Sequence, residues 1–276
     1  CFGVRRAVEK AEKALSEYKG HDVYSLGPLI HNETTLLRLQ KAGLKVADEI
    51  TDIPDNSVVI IRAHGVPPLV TKQLEEKSCT IIDATCPRVK GSQKIAAENA
   101  GDDFEIIFTG DREHGEVKGI AGYAGNNFHL IQNTADAEKT CEEIEDKIKN
   151  SGKRKKIILF SQTTFSEIEF EKIRVILENK FTETNVINTI CPATKERQEA
   201  LLELCRKVDC ILVVGGKQSA NTKRLYQTAK ANCKTAAHIE TAKEIPKEFF
   251  ALEKIGITAG ASTPDEVIDE IFEQFV

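Results

Sequence analysis

Short apolar runs alternate with longer stretches whose apolar residues recur at helical spacing, from one end of the chain to the other. Asp22 to Leu26, Val58-Val59-Ile60-Ile61, Phe104 to Phe108, Phe128 to Ile131, Ile157 to Phe160, Cys210 to Val214, Ala236 to Ile239 and Ile255-Gly256-Ile257 read as strands. Helices are expected over Arg5 to Leu15, Thr34 to Ala42, Pro67 to Leu74, Gln93 to Ala100, Ala135 to Lys149, Arg197 to Val208 and Asp265 to Phe275. Pro67-Pro68 can open a helix because proline is tolerated in the first turn. For the last helix, Ser262 or Thr263 is the expected cap and Pro264 the first turn. Strands alternating with helices predict an α/β protein with parallel sheets.

The pattern repeats three times. Asp83-Ala84-Thr85-Cys86-Pro87 returns in altered form as Asn188-Thr189-Ile190-Cys191-Pro192, each after an apolar run and before an amphipathic one. Cys1 opens a third copy, and the strand that precedes the other two cysteines is expected outside this sequence, which begins at Cys1 and contains no methionine. His31, in GPLIHN, lies 30 residues after Cys1; His114, in GDREHGEV, 28 after Cys86; Ser219, in GGKQSANT, 28 after Cys191. A second polar motif follows in each unit, with His64 in RAHGV, Thr163 in SQTTFS and Ser262 in TAGAST. Units of this length are too long for a solenoid. They predict three α/β lobes around a shared centre: lobe 1 over 1–86, lobe 2 over 87–185 and lobe 3 over 186–262, with a final helix at 263–276 folding back on lobe 1. Ligands of parallel sheets collect at the carboxyl ends of strands, where all six loops and the three cysteines fall.

Composition narrows the chemistry. With 276 residues, 41% of them hydrophobic and 29% charged, the chain is ordinary for a soluble protein, and no apolar run reaches membrane-spanning length. A net charge of −5 argues against a general nucleic-acid binder. The acidic helix at Ala135 to Lys149 and a basic turn at 153–156 read as solvated surface. Eight cysteines without close pairing do not form the framework of a small secreted domain, so a reducing compartment, the cytoplasm, is expected.

Three cysteines, each just before a helix, suit thiolate ligation, because a helix N-terminus favours the anion. A structural zinc site would want four ligands, commonly from C-x-x-C pairs, and none occurs. Three thiolates instead suit a [4Fe-4S] cluster with one iron open to substrate. Cys79, Cys141, Cys205, Cys210 and Cys233 lack the motif context and read as core residues. His31, His64 and His114, with Ser219, Asn221 and Ser262, offer compact donors for a phosphate or diphosphate. GGKQS lacks the spacing of a Walker loop, and the His-x-Glu pair of His114 and Glu116 lacks the Pro-Cys-x-x-Cys partner of the zinc deaminases. Glu116 would serve as a proton donor if burial raised its pKa.

CFGVRRAV, GPLIHN, RAHGV, DATCP, HGEVKG, SQTTFS, NTICPAT, RQEA, GGKQSANT and GITAGASTP, in this order across nearly the whole chain, closely resemble the LytB/IspH family of 4-hydroxy-3-methylbut-2-enyl diphosphate reductases. The resemblance implies a trefoil of three pseudo-threefold-related lobes around a central iron–sulfur cluster. It also implies the last step of the methylerythritol phosphate route, in which an allylic hydroxyl is removed with two electrons to give isopentenyl and dimethylallyl diphosphates. Cys1, Cys86 and Cys191 then look like the cluster ligands, Glu116 like the proton source, and Thr163 like the hydroxyl that orients Glu116 and the substrate alcohol. His31, His64, His114, Ser219, Asn221 and Ser262 look like the substrate pocket. Where many members read NSSN, this chain has Ala220, which leaves a backbone N–H in place of one hydroxyl. The family implies ferredoxin or flavodoxin as electron donor, and neither nucleic acid nor membrane as a partner. Some relatives carry a fused RNA-binding tail, and none is expected after Val276. A quinolinate-synthase-like dehydratase would need no external electrons and fits the motifs poorly. A redox sensor or metal store would have no use for the converging donors.

Overall fold

In the computed structural model, which describes residues 1–152 and 155–276, every strand pairing is parallel and the strands fall into three sheets. Lobe 1 comprises α1 (Phe2–Glu17), β1 (Val23–Leu26), α2 (Glu33–Lys41), β2 (Leu44–Ala47), β3 (Val58–Ile61), α3 (Pro68–Glu76) and β4 (Thr80–Asp83), with sheet order β2-β1-β3-β4. Lobe 2 repeats the plan with α4 (Pro87–Glu98), β5 (Phe104–Thr109), α5 (Gly115–Ala121), β6 (Phe128–Ile131), α6 (Thr134–Ser151), β7 (Lys156–Ser161), α7 (Glu167–Lys180) and β8 (Thr184–Val186), in the order β6-β5-β7-β8. Lobe 3 holds α8 (Pro192–Cys205), β9 (Cys210–Val214), α9 (Ala220–Asn232), β10 (Thr235–Ile239), β11 (Ile255–Ala259) and α10 (Asp265–Phe272), in the order β10-β9-β11. The expected trefoil of lobes is therefore present. The basic turn at 153–156 lies partly outside the described residues.

The central strands β3, β5, β7 and β9 are buried almost end to end, which is why they read as unbroken apolar runs rather than alternating ones. Helices cover both sheet faces. Gly3, Ala7, Ala11 and Ala14 make the buried stripe of α1, and their small side chains let the helix lie close to its sheet. In lobe 3, β11 has no further strand beside it among the described residues and is correspondingly less buried than β3 and β7.

Four expectations are corrected. Val186, Ile187 and Ile190 pack in the cores of the second sheet, so lobe 2 extends past residue 185 toward Cys191. The last helix does not join lobe 1: Val267, Ile271 and Phe275 enter the core of β9, β10 and β11. Its N-cap is Pro264, because the Thr263 hydroxyl donates to the carbonyl of Val214 at 3.0 Å and the Ser262 hydroxyl to that of His31 at 3.1 Å. The helices α4 and α8 also begin earlier than expected, at the prolines directly after Cys86 and Cys191, where a missing N–H costs nothing.

Candidate active site

The parallel sheets present their carboxyl ends to one small chamber. It is lined from lobe 1 by Cys1, His31, His64 and Cys86, from lobe 2 by His114, Glu116 and Thr163, and from lobe 3 by Ser219, Ala220, Asn221 and Ser262. Every expected substrate-binding and catalytic residue is thus brought together. Cys191 does not line this chamber, but its N–H donates to the Thr163 carbonyl at 2.9 Å, just as the Cys86 N–H donates to Ala63 at 2.9 Å. In two lobes, then, the cysteine is tied to the polar loop that follows the neighbouring strand.

Each of the three cysteines is the N-cap of a helix and makes no side-chain capping bond, so its sulfur is left for another partner. The Cys1 and Cys86 sulfurs converge on Gly3, where an added Cβ would stand 2.8 Å from Cys86 Sγ and 4.0 Å from Cys1 Sγ. No disulfide forms. The other cysteines behave differently: Cys141, Cys205 and Cys210 are packed in apolar cores, and burial raises their thiols, to about 11 for Cys141 and Cys210.

Glu116 is 1% exposed, in the first turn of α5. One carboxyl oxygen accepts from the Thr163 N–H at 2.7 Å and the other meets the Thr163 hydroxyl at 2.7 Å. Burial pushes its pKa up to about 7 against the opposing pull of these two bonds. The group therefore exchanges a proton close to neutral pH.

The histidines form a tight trio, with ring centroids 4.9 Å apart for His31 and His64 and 4.9 Å for His64 and His114. Their ligating atoms lie within 4.8 Å of one another, the one such group among the described residues. Burial lowers all three pKa values, that of His114 to about 4, and the neighbouring rings and Arg62 add to the effect on His64 and His114. They are neutral at pH 7. Because His114 Nδ1 accepts the Glu116 N–H at 3.2 Å, its ring proton sits on Nε2 and can be donated.

Ser219 caps α9 by accepting the Thr222 N–H, which leaves its hydroxyl proton for another acceptor. Asn221 Nδ2 and His64 Nδ1 are buried without a protein partner. A buried, unpaired donor costs about 1–3 kcal/mol, so their convergence on one chamber marks a place for acceptor oxygens. Sequence reasoning passed over Arg62 and the pair of Arg224 with Asp111 at 2.6 Å, although both lie in or beside the motifs. Arg224 also stacks over Phe165, 4.6 Å from the ring centroid, joining lobes 2 and 3. No helix among the described residues is long and apolar enough to cross a membrane.

Comparison with known proteins agrees with this geometry. A family model described as LytB protein matches residues 1–276. The chain is 45% identical over 277 residues to the 4-hydroxy-3-methylbut-2-enyl diphosphate reductase of Treponema denticola, covering 98% of this chain and 94% of that protein. It is 38% identical to the protein of the same name from Alkaliphilus oremlandii, covering 99% and 95%. Among solved structures, the E-1-hydroxy-2-methyl-but-2-enyl-4-diphosphate reductase from Plasmodium falciparum matches with a TM-score of 0.90 at 30% identity, over 99% of this chain and 84% of that one. A second structure, of an (E)-4-hydroxy-3-methyl-but-2-enyl diphosphate reductase, matches with a TM-score of 0.69 at 35% identity, over 99% and 94%. The chain is an oxidoreductase and belongs to the LytB family.

Proposed function

We propose that the chain removes the allylic hydroxyl of (E)-4-hydroxy-3-methylbut-2-enyl diphosphate by reduction, giving isopentenyl diphosphate, dimethylallyl diphosphate and water. The observation that carries this reading is the meeting, in one chamber, of a buried carboxyl with a pKa near 7, two cysteine sulfurs and a set of uncharged hydrogen-bond donors.

The cysteine set fits an iron–sulfur cluster. Its three members are soft ligands at helix N-termini with uncommitted sulfurs, and Gly3 leaves open the space where Cys1 and Cys86 converge. Unlike the histidines, they do not crowd within the reach of a single ion. Cys1, Cys86 and Cys191 would hold a [4Fe-4S] cluster. When bound, it supplies electrons and a Lewis-acidic iron that no protein side chain occupies. The electrons come from a one-electron carrier, ferredoxin or flavodoxin.

The remaining work falls to side chains. Neutral His31, His64 and His114, with the Ser219 hydroxyl, Asn221 Nδ2, the Ala220 N–H and, once it turns from the His31 carbonyl that it meets at 3.1 Å, the Ser262 hydroxyl, donate to the diphosphate oxygens and fix the substrate. Thr163 holds Glu116 and, through its hydroxyl, orients the substrate alcohol. Glu116 delivers a proton as the carbon–oxygen bond breaks, so that oxygen leaves as water rather than hydroxide. Two electrons and two protons are consumed per turnover, the second proton ending on carbon.

The reading is tested by anaerobic turnover of the substrate with a reduced one-electron dye. Formation of both diphosphate products with two equivalents of reduced dye oxidised per substrate is expected; an iron-loaded protein that consumes no substrate would refute it.

A further inference from the structure

Cys1 and Cys86 stand 85 residues apart in the chain, yet one row of residues on α1 brings them together. Cys1 caps the helix, and Gly3, Arg6 and Lys10 follow at the three- and four-residue spacing that keeps them on one face. Opposite this row lies the end of β4, the outermost strand of the first sheet. Ala84 and Cys86 donate their N–H groups inward, to the carbonyls of Ile61 and Ala63 at 3.0 and 2.9 Å. Alternation along the strand therefore turns the carbonyls of Asp83 and Thr85 outward, where no further strand pairs with them among the described residues.

The helix supplies the missing partners. Arg6 Nη1 donates to the Thr85 carbonyl at 2.8 Å and Lys10 Nζ to the Asp83 carbonyl at 2.7 Å. Four residues of helix rise about 6 Å and two residues of strand about 6.6 Å. The two spacings match, so both bonds form together in only one register. At the end of the same row, Cys86 Sγ lies 2.8 Å from where a Cβ on Gly3 would stand. Gly3, Arg6 and Lys10 thus meet Cys86, Thr85 and Asp83 in turn.

The same contacts leave an excess of positive charge. Lys90 pairs with the Asp83 carboxylate, whereas Arg6 and Lys10 are bound to uncharged carbonyls. An iron–sulfur cluster on three thiolates is an anion, and an added electron makes it more so. Neighbouring cations favour that reduced form.

We propose that Arg6 and Lys10 are positioning residues for the cluster: they lock the helix of Cys1 in register with the strand end of Cys86, and their charges hold the reduction potential up. The inference rests on the iron–sulfur centre of the reductase reading. It adds two residues that lie outside both the chamber and the ligand set.

The test uses the whole chain, reconstituted anaerobically with iron and sulfide. Iron retention against a chelator and the midpoint potential of the cluster are measured without substrate. Arg6→Gln removes the cation nearer Cys86; it is expected to lower iron retention about tenfold or more and to move the potential of the remaining cluster to more negative values. Lys10→Met, farther from Cys86, is expected to keep its iron and to move the potential the same way by less, and Lys10→Arg to restore it. Lys13 on the same helix is exposed and paired with Glu17, so Lys13→Gln is expected to leave the potential unchanged.

Unchanged potentials in Arg6→Gln and Lys10→Met overturn the proposal, because a merely structural strut would cost stability and leave an intact cluster's potential alone. An equal shift in Lys13→Gln overturns it as well. The expected shifts in a protein that reduces no substrate would support the inference while refuting the reductase reading. Unshifted variants of a protein that turns substrate over would do the reverse.

Discussion

Glu116 and Thr163 are joined twice, through the backbone N–H of Thr163 and through its hydroxyl, each at 2.7 Å from a different carboxyl oxygen. The double contact survives proton transfer, since a hydroxyl can either donate to the ionised carboxylate or accept from the protonated one. Burial raises the carboxyl to about 7 and Thr163 limits the rise. One residue thus fixes both where the acid points and when it holds its proton.

A pH profile follows from that pair. Glu116 carries its proton below about pH 7 and loses it above, so kcat is expected to fall on the alkaline side with an inflection near 7. Thr163→Val removes a bond that favours the anion, so the inflection is expected to move to higher pH as kcat drops. Glu116→Gln should retain iron and lose about 10²–10⁴-fold in kcat. Steady-state rates from pH 5.5 to 9 with iron analysis check all three; near-normal turnover by Glu116→Gln would remove its assignment.

Much of this site is visible in the sequence, for a physical reason. The loops of His64, His114, Thr163 and Ser219 follow buried strands, and such strands are unmistakable apolar runs, so these residues announce themselves by position. What is hidden depends on partners distant in the chain. Arg62 stands inside a recognised motif, but its lack of a carboxylate is a property of the fold. The helices α7 and α9 follow functional loops closely and were masked by them, while Ser219 reads as a ligand yet also caps α9. The stripe Val267, Ile271 and Phe275 identifies a helix that packs on a sheet but carries no mark of which sheet.

The neutral histidines make anion binding a proton-linked event. His114 has a pKa of about 4 in the free protein, and a bound diphosphate favours its charged form, so protons are expected to be taken up on binding near pH 6. Its depressed value also means that the stability it contributes is present above about 6.5 and lost as pH falls toward 4. Calorimetry of pyrophosphate binding in buffers of different ionisation enthalpy reads the uptake directly. Proton release, or none, would contradict the neutral trio.

The cysteines divide into ligands and core. Cys86→Ser is expected to lose most of the bound iron. Cys205 is 7% exposed among Leu201, Leu225 and Ala229, so Cys205→Ser should keep its iron while losing about 1–3 kcal/mol of stability to the buried hydroxyl. Equal iron loss in the two variants would break the division.

Gly3 offers a finer probe of the cysteine cradle. An alanine there would improve intrinsic helix propensity by up to about 1 kcal/mol, yet its Cβ would press on Cys86 Sγ at 2.8 Å. Gly3→Ala is therefore expected to leave the iron-free protein as stable as the wild type or more so, and to bind less iron. Full iron content with normal turnover would show that Cys86 has room to spare.

The central claim is that Cys1, Cys86 and Cys191 hold a four-iron cluster with one iron open to the substrate of the Glu116 chamber. Mössbauer spectroscopy of iron-57-labelled, anaerobically purified protein, with and without (E)-4-hydroxy-3-methylbut-2-enyl diphosphate, tests it most directly. A four-iron cluster with one distinct iron site, whose parameters change when the substrate is added, is the expected result. Four equivalent irons that ignore the substrate, or no cluster in a correctly folded protein, would contradict it.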